Sequence, residues 1–209
     1  MTILRGQAWA ANGPLAPGAP IVSSDAALRA LVEGARRRQE PLGEVGLVGG
    51  DLWATLGGPG ATGATTGTAR LRSEVAVRAP IDVIRVELDG QPHWFVAHLV
   101  AHRWGWRGEA AVAMNAEWFG PYKLGPRAHP NDGLVDVTSG SLRWQERLEA
   151  RRRAVAGTHL PHPRLRVQRA SHAVVCFARA TPIHLDGVAV GRAKQVELHV
   201  EADALQVVV

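Results

Sequence analysis

The alternation of apolar and polar residues beyond Val75 is the feature that most constrains how this chain can fold. Over that part of the 209-residue sequence, short segments with a period of two follow one another, and turn residues such as Asp89-Gly90 separate them. Such segments are typical of strands with one buried face, and many of them joined by turns predict a β-sandwich or barrel. The predicted strands cover residues 75–77, 81–86, 94–96, 109–114, 133–137, 165–169, 173–177, 181–185, 195–200 and 204–209.

One helix is expected inside this series of strands. Leu142, Gln145 and Leu148 recur at helical spacing and are predicted to face the core. Ser141 is in position to cap the start of this helix, and Gly157 is in position to end it.

The part of the chain before Val75 has a different pattern, which predicts a small α/β layer. Ile21 and Val22 predict a short strand, and Ser23 and Ser24 are candidate N-caps for a helix whose apolar residues lie within 27–35. Residues 44–48 predict a buried strand that ends at two glycines. The stretch 57–68 is almost wholly Gly, Ala, Thr and Pro, which indicates a mobile connector.

These patterns together predict an α+β protein, in which a small truncated α/β layer packs on a larger antiparallel β-sandwich domain. The expected boundaries are 1–60 for the α/β layer, 61–74 for the Gly/Thr-rich connector and 75–209 for the β-sandwich.

Composition excludes several classes of protein. The 24 lysines and arginines exceed the 19 aspartates and glutamates and leave a net charge of +5. The basic residues are spread along the chain, so no nucleic-acid partner is expected. The longest apolar run, 173–178, is too short to span a membrane, and residues 1–12 do not resemble a signal peptide. The single cysteine, Cys176, excludes an internal disulfide and a multi-cysteine zinc site. We therefore expect a cytoplasmic protein without a transmembrane segment.

Three short motifs have two interpretations each. His98 and His102 have the spacing of a zinc-protease helix but lack its glutamate, so we interpret them as histidines on one face of a sheet. The aromatic residues of 104–106 could stack on a base or a lipid, but the favoured interpretation is that they cover the core. His159 and His162 could bind a metal, and a surface turn is the favoured alternative.

Gly49, Gly50 and Asp51 form a candidate phosphate-binding turn. They lie between a predicted strand and a short helical stretch, where backbone amides can approach a phosphate closely. The lysine of a Walker A motif is missing, and no Gly-x-Gly-x-x-Gly is present, so neither common nucleotide signature applies.

Two acidic turns are further candidates for a site. The turn around Asp132 could hold a hard cation with one carboxylate and backbone carbonyls, or it could be an Asx turn that needs no metal. Asp186, at a predicted hairpin turn, could be structural or could act as a base.

Several motifs between Pro80 and Val209 agree in order and spacing with those of one protein family. These motifs are Ile81-Asp82-Val83, Val112-Ala-Met-Asn115-Ala-Glu-Trp-Phe119-Gly120, Leu124-Gly-Pro-Arg-Ala-His-Pro-Asn-Asp132-Gly-Leu-Val-Asp136-Val137, Gly157-Thr-His159-Leu-Pro-His162-Pro163 and Pro182-Ile-His-Leu-Asp186-Gly187. They resemble the C-terminal domain of the diacylglycerol kinase-like lipid kinases.

Upstream of these motifs, Val48-Gly-Gly-Asp51-Leu-Trp-Ala-Thr-Leu-Gly57 is similar to the family's GTGNDFARxLG, with Val48 in place of Thr and Gly50 in place of Asn. An alternative register places Gly49-Gly50-Asp51 on the nucleotide motif GGDGT. We prefer the first register because Leu56 and Gly57 fit it. On that register no GGDGT remains.

The resemblance implies a catalytic and a nucleotide-binding role for particular residues. In this family an α/β domain binds ATP and magnesium, and a β-sandwich closes the cleft and contributes a catalytic carboxylate. Asp186 matches the aspartate inferred to take the proton of the lipid hydroxyl as general base. On the same grounds Gly49, Gly50 and Asp51 are the expected nucleotide contacts.

The resemblance also implies a structural Mg²⁺ site. Asp132, together with the backbone carbonyls of His129 and Leu134, matches the residues that hold this ion in the family.

Two functions follow from these expectations. The first is ATP-dependent phosphoryl transfer to a lipid or related hydroxyl, with reduced or impaired activity because GGDGT is missing and Val188 replaces the glutamate of the DGE motif. The second is a non-catalytic binding module for a lipid, a phosphorylated small ligand or a protein partner. A homodimer mate or partner protein that covers the truncated layer and completes the cleft is a third possibility.

Overall fold

The computed structural model describes residues 9–58 and 64–209 of the chain. The strands are β1 Ala11–Asn12, β2 Ile21–Val22, β3 Val45–Leu47, β4 Val77–Leu88, β5 Gln91–Phe95, β6 His98–Ala101, β7 Ala110–Met114, β8 Val135–Gly140, β9 Leu165–Ala170, β10 His172–Leu185 and β11 Val188–Val208. The helices are α1 Asp25–Arg38, α2 Asp51–Thr55, α3 Ala64–Leu71 and α4 Trp144–Ala154, and a 3-10 turn covers Trp104–Trp106.

A single curled sheet, mostly antiparallel, contains the strands of the described residues. Its main order is β1-β4-β11-β10-β6-β7-β8-β9, with β5 added beside β4 and with β2 and β3 added beside β11. The 21-residue β11 organises the sheet, since it pairs with β10 along its first part, with β4 along its second part and with β3 at its end. The α+β class and the β-sandwich predicted from the alternation are therefore confirmed.

Two apolar cores stabilise this arrangement. Side chains from β4 to β8, β10 and β11 form the first, which includes the fully buried Ile84, Phe95 and Ile183. The second joins α1 to the strands, because Leu28 and Val32 of the helix pack in the same cluster as residues of β3, β4 and β11. Burial of such side chains contributes about 1.5–3 kcal/mol each, so the α/β layer is fixed to the sandwich by apolar contact.

The predicted elements of the α/β layer are confirmed. The strands at 21–22 and 45–47 and the helix between them are present, and the Ser24 hydroxyl accepts the N–H of Ala27 at 3.2 Å as the N-cap. Strands β2 and β3 run parallel to each other, and β3 runs parallel to β11.

Three elements differ from the predictions. The stretch expected as a mobile connector contains the helix α3 at Ala64–Leu71, and residues 59–63 lie outside the described residues. The two strands predicted at the end of the chain are one continuous strand, β11, with a shift of register between Glu201 and Leu205. The helix α4 begins at Trp144, where the Glu146 carboxylate accepts the N–H of Arg143 at 2.6 Å, and its Leu148 is 42% exposed instead of facing the core.

Among the described residues, no helix combines the length and the apolar character that a membrane crossing requires.

Candidate functional site

Asp186 occupies the tight turn between β10 and β11. Leu185 and Val188 pair across this turn, and Asp186 and Gly187 have φ values of 48° and 80°. Positive φ at both central positions defines a type I′ hairpin, for which Asp-Gly is a preferred sequence. The local sequence therefore places this carboxylate at a fixed point at the end of two long strands.

The carboxylate of Asp186 is held by the turn between β5 and β6. Its Oδ2 accepts the N–H of Val96 at 2.9 Å, and its Oδ1 accepts the N–H groups of Ala97 and His98 at 2.9 and 3.0 Å. The N–H of Asp186 in turn donates to the carbonyl of His98 at 2.9 Å. Asp186 is buried as a result, and its carboxylate cannot rotate without breaking three hydrogen bonds.

Burial raises the pKa of Asp186 to about 6, although the positive charge of a protonated His98 and the three amide donors act in the opposite direction. A carboxyl group with this pKa exchanges its proton near neutral pH, which general acid–base chemistry requires.

Asp25, the first residue of α1, closes the N-terminus of α2. Its Oδ2 accepts the N–H of Asp51 at 2.6 Å, and its Oδ1 accepts the N–H of Leu52 at 3.2 Å. Gly50 precedes them with a φ of 104°, and a Cβ on Gly50 would lie 2.5 Å from Oδ1 of Asp25. A Cβ on Gly49 would lie 2.6 Å from the carbonyl oxygen of Ser23. Close packing against the start of α1 thus requires glycine at both positions.

A glycine turn at a helix N-terminus is an anion site. In this protein the anion is the side chain of Asp25, which accepts the two N–H groups that a phosphate would use. Gly49, Gly50 and Asp51 therefore do not fit a phosphate in this arrangement. A nucleotide contact at these three residues stays a prediction, and it requires Asp25 to move away.

His98 joins the α/β layer to the sandwich. Its Nε2 lies 3.0 Å from Oδ2 of Asp51, whose other oxygen accepts the N–H of Gly120 at 2.9 Å. Burial alone lowers the pKa of His98, but the carboxylates of Asp51, Asp186 and Asp25 outweigh it and raise the pKa above its usual value. The Nδ1 atom is buried and has no partner among the described residues.

These side chains surround a cleft of about 260 Å³, which we call the acid–histidine cleft and define by Asp25, Asp51, His98 and Asp186. Ligand atoms of Asp25, Asp51 and His98 lie within 4.8 Å of one another. Carboxylate oxygens suit Mg²⁺, and a set that includes imidazole suits Mn²⁺ or Zn²⁺. The cleft therefore offers the donors of a divalent cation, at a different place from the one that the motifs predicted.

At the predicted Mg²⁺ site, Asp132 already has two partners. Its Oδ1 accepts the N–H of Leu134 at 3.0 Å, which is the Asx turn considered as the alternative, and its Oδ2 forms an ion pair with Arg169. Arg169 also lies 3.3 Å from the carboxylate of Asp136, and Nδ1 of His129 accepts the N–H of Asn131 at 3.2 Å. Mg²⁺ binding by His129, Asp132 and Leu134 stays a prediction, and it requires Arg169 to release the carboxylate.

Asp82, which the motifs included without a role, is fully buried beside this turn. Its carboxylate accepts the N–H of Gly133 at 2.7 Å and of Asp203 at 3.0 Å. Asn115 donates to the carbonyls of Asp82 and Val96 at 3.0 and 2.8 Å. These two motif residues therefore connect the acidic turn to the strands that carry the acid–histidine cleft.

A second, larger cavity lies between α4 and the strands β7 and β8. Its volume is about 550 Å³, within the range of about 300–1,000 Å³ that small-molecule sites occupy. Its lining is mostly apolar and includes Trp106, Val112, Phe119, Leu124 and Leu165.

Phe119 separates the two cavities, because its side chain lines both. Its ring meets the ring of His98 edge-on at 4.8 Å between centroids, and Phe119 and Tyr122 exchange two backbone hydrogen bonds of 2.8 and 3.1 Å. An apolar cavity and a polar, acidic cleft thus lie on either side of one aromatic residue.

Asp51 and Asp186, two of the predicted site residues, both line the acid–histidine cleft, whereas other residues of the two cavities have no predicted role. His98 was interpreted only as a histidine on a sheet face. His159 was expected in a surface turn, but it is 5% exposed and lines the apolar cavity. Trp104 and Trp106 were expected to cover the core, but they are 81% and 37% exposed.

One family model matches the sequence, and several solved structures have a similar fold. Residues 68–209 match the family model of the YegS C-terminal NAD kinase beta sandwich-like domain. A structure of a diacylglycerol kinase from Bacillus anthracis str. Sterne has a TM-score of 0.58 at 12% identity, over 78% of this chain and 66% of that chain. Two structures of a putative diacylglycerol kinase from the same organism have TM-scores of 0.66 and 0.67 at 11% identity, over 90% of this chain and 76% of theirs.

At these identities the likeness shows the fold. The chain spans just under two thirds of the first of these structures and about three quarters of the other two. No curated protein matches the sequence.

Proposed function

The chain belongs to the family of the YegS C-terminal NAD kinase beta sandwich-like domain, as its motifs predicted. From this premise we propose that it is a diacylglycerol kinase-like protein that binds a lipid or a related amphiphilic alcohol. The observation that carries the proposal is the apolar cavity that shares Phe119 with the acid–histidine cleft. The structures of similar fold are described as diacylglycerol kinases or putative ones, which supports a lipid as the class of ligand.

The apolar cavity accommodates the hydrocarbon part of the ligand. Its floor consists of Val112 on β7 and Thr138 on β8, which face each other across the paired strands, and α4 covers it. Transfer of a hydrocarbon chain into such a cavity gains about 0.8 kcal/mol for each buried CH₂ group. Burial of the hydrocarbon chain therefore favours binding.

The acid–histidine cleft accommodates the polar end. A hydroxyl group donates one hydrogen bond and accepts others, so it can pair both with a carboxylate and with an imidazole N–H. Asp186 and Asp51 supply carboxylates, and His98 supplies an imidazole whose Nδ1 has no partner among the described residues.

Phosphoryl transfer is a second candidate function, because Asp186 has the position and the raised pKa that a base for the hydroxyl needs. Two features oppose it. Asp25 occupies the amides at the N-terminus of α2, and three carboxylates in one cleft repel a triphosphate. We therefore propose that binding is the main function and that any transfer of phosphate is slow.

The binding function is tested by filling the cavity. Ala110 lines it from β7 and is half-buried, so Ala110→Phe places a ring inside it. Ala178 is exposed on β10 outside the cavity, and Ala178→Phe is the matched control. In calorimetric titration with dioctanoylglycerol, we expect the affinity of Ala110→Phe to fall at least tenfold while the control binds as the wild type does. No binding by the wild type, or equal binding by both variants, contradicts the proposal.

The second function is tested with nucleotide. A rise in melting temperature with Mg-ATP, together with transfer of labelled phosphate to dioctanoylglycerol that Asp186→Asn abolishes, would establish a kinase. Neither effect is expected to be large. The absence of both leaves binding as the function.

A further inference from the structure

Exposed tryptophan and arginine side chains gather around the mouth of the apolar cavity. Trp104 is 81% exposed and Trp144 is 64% exposed, although tryptophan is among the most apolar of side chains. We define the tryptophan–arginine face by Trp104, Trp106, Arg107, Trp144, Arg147 and Leu148. Of these, Trp106, Trp144, Arg147 and Leu148 also line the cavity.

The apolar residues of α4 on this face form one stripe. Trp144 and Leu148 are four residues apart, which is about one helical turn. Val155, just past the helix, follows seven residues after Leu148, which is about two turns. At about 100° per residue these positions lie within about 40° of one another around the helix axis. All three are exposed, at 64%, 42% and 55%. The stripe is therefore an apolar surface that the rest of the described chain does not cover.

The 3-10 turn extends this stripe into a face. Arg147 of α4 donates a hydrogen bond of 2.7 Å to the carbonyl of Gly105, which ties the helix to the turn that carries Trp104 and Trp106. The guanidinium of Arg107 lies 5.1 Å from the ring of Trp104, and that of Arg147 lies 5.5 Å from the ring of Trp144. The two most exposed indoles of the face, those of Trp104 and Trp144, thus each have an arginine beside them.

The charge of this face is positive. Arg107, Arg147 and the neighbouring Arg151 form no ion pair with a carboxylate within the described part of the chain, because Glu146 and Glu149 of α4 pair with Arg164 and Arg153. The acidic residues of α4, Glu146 and Glu149, lie about 120° or more away from the centre of the apolar stripe. The face therefore offers apolar side chains and unpaired cations together.

We propose that the tryptophan–arginine face docks on an anionic lipid bilayer. Indole rings partition to the boundary between headgroups and acyl chains, and arginine pairs with lipid phosphates. A helix with an exposed apolar stripe flanked by arginines lies in the plane of that boundary. A water-exposed protein surface rarely presents two tryptophans of this exposure, which favours a lipid surface over solvent.

Docking in this orientation directs the mouth of the apolar cavity to the bilayer. If the cavity binds a lipid, as proposed above, the lipid enters it without crossing water. This consequence rests on the proposed function, but the docking itself does not, because the exposed face exists whether or not the cavity is occupied.

The experiment is co-sedimentation of the chain with vesicles. Vesicles of phosphatidylcholine with added phosphatidylglycerol are compared with vesicles of phosphatidylcholine alone. The wild type is expected to bind the anionic vesicles and to release them at high salt, since the Debye length shortens to about 3 Å at 1 M. Trp104→Ala/Trp144→Ala is expected to lose at least tenfold in partition coefficient.

Removal of charge has a matched control. Arg107→Gln/Arg151→Gln removes two charges from this region, and Arg37→Gln/Arg38→Gln removes two exposed charges from α1. The first variant is expected to lose about fivefold per arginine in binding to anionic vesicles. The second is expected to keep most of its binding.

Two results overturn the proposal. One is a wild type that does not bind anionic vesicles, or that binds them as tightly as the tryptophan variant does. The other is a concentration-dependent dimer in solution that Trp104→Ala/Trp144→Ala abolishes, which assigns the face to a second copy of the chain. Trp104 and Arg107 do not line the cavity. A Trp104→Ala/Arg107→Gln variant that loses vesicle binding but keeps its affinity for dioctanoylglycerol without vesicles therefore separates docking from lipid binding, so the failure of one and the failure of the other are distinguishable.

Discussion

The imidazole of His98 and the carboxylate of Asp51 lie 3.0 Å apart, and this contact joins the β-sandwich to the α/β layer. His98 begins β6 and Asp51 begins α2, so 47 residues separate the two partners in sequence. Burial acts to lower the pKa of His98, but the carboxylates around it raise that pKa above its usual value. Folding therefore favours the protonated imidazole, so the contribution of this contact to stability should depend on pH.

The stability contributed by His98 is expected to decrease as pH rises. A histidine whose pKa is raised on folding stabilises the protein fully below its unfolded pKa of about 6.5 and loses this contribution as pH passes the raised value. The measurement is the free energy of unfolding in urea for the wild type and His98→Gln at about pH 6 and about pH 8. The difference between them should be smaller at the higher pH. A difference that does not change with pH rules out the assigned protonation.

Buried carboxyl groups are expected to change the stability of the protein over a lower range of pH than His98 does. Burial raises the pKa of Asp82 to about 6, against the opposing effect of the Gly133 amide, and Asp186 also has a pKa of about 6. The folded state then binds protons that the unfolded state has released, so the contribution of these two groups to stability decreases as pH rises from about 4 to about 6. Unfolding experiments across this range should show a smaller decrease in Asp82→Asn than in the wild type. A decrease in Asp82→Asn as large as that in the wild type contradicts the raised pKa of Asp82.

Truncation of Asp186 is expected to destabilise the fold. Asp186→Ala leaves three buried N–H groups without an acceptor, at a cost of about 1–3 kcal/mol each, so we expect a loss of at least about 3 kcal/mol. The exposed Asp89 occupies the same Asp-Gly turn geometry between β4 and β5, with φ values of 49° and 77°. Asp89→Ala is thus the control and should cost less than about 1 kcal/mol. Equal losses in the two variants would show that the amide contacts contribute little.

Gly50→Ala is expected to destabilise the turn before α2. The φ of Gly50 is 104°, and the added Cβ would lie 2.5 Å from the carboxylate of Asp25. Strain of this kind costs about 1–3 kcal/mol. Gly43→Ala meets no atom within 4 Å and is the control, with an expected change below about 1 kcal/mol in thermal or urea unfolding. A neutral Gly50→Ala would mean that Asp25 does not close the helix as described.

The sequence predicts the strands of this protein better than the surfaces between them. Period-two alternation and Asp-Gly turns identify β4, β5 and the hairpin at Asp186, because a strand in contact with the core shows its pattern locally. The role of His98 has no local signal, because its partners lie in α2 and in the β10–β11 turn. The same holds for the apolar cavity, whose lining comes from α4, β7, β8 and the 3-10 turn.

The two interpretations of the tryptophans show the same limit. Composition alone favours a buried role for Trp104 and Trp106, since large apolar side chains usually lie in the core. Their exposure comes with the 3-10 turn, which ends at Trp106 with a φ of 57°. The sequence of residues 104–106 alone does not predict this backbone conformation.

The glycines at 49 and 50 illustrate a different error. Glycine after a strand and before a helix is compatible both with a phosphate and with close packing of the chain on itself. Only the position of Asp25, 26 residues before Asp51, distinguishes the two.

The most direct test of the account is to locate a bound lipid. The central claim is that the apolar cavity and the acid–histidine cleft form one site on the two sides of Phe119. Photoaffinity labelling with a monoacylglycerol that carries a diazirine at the end of its chain, followed by peptide mass spectrometry, reports where the chain end lies. The account predicts labels on residues of α4, β7 and β8 that line the cavity, and it predicts that excess dioctanoylglycerol competes with them and that Ala110→Phe abolishes them. Labels confined to other surfaces, or labels that Ala110→Phe leaves unchanged, contradict it.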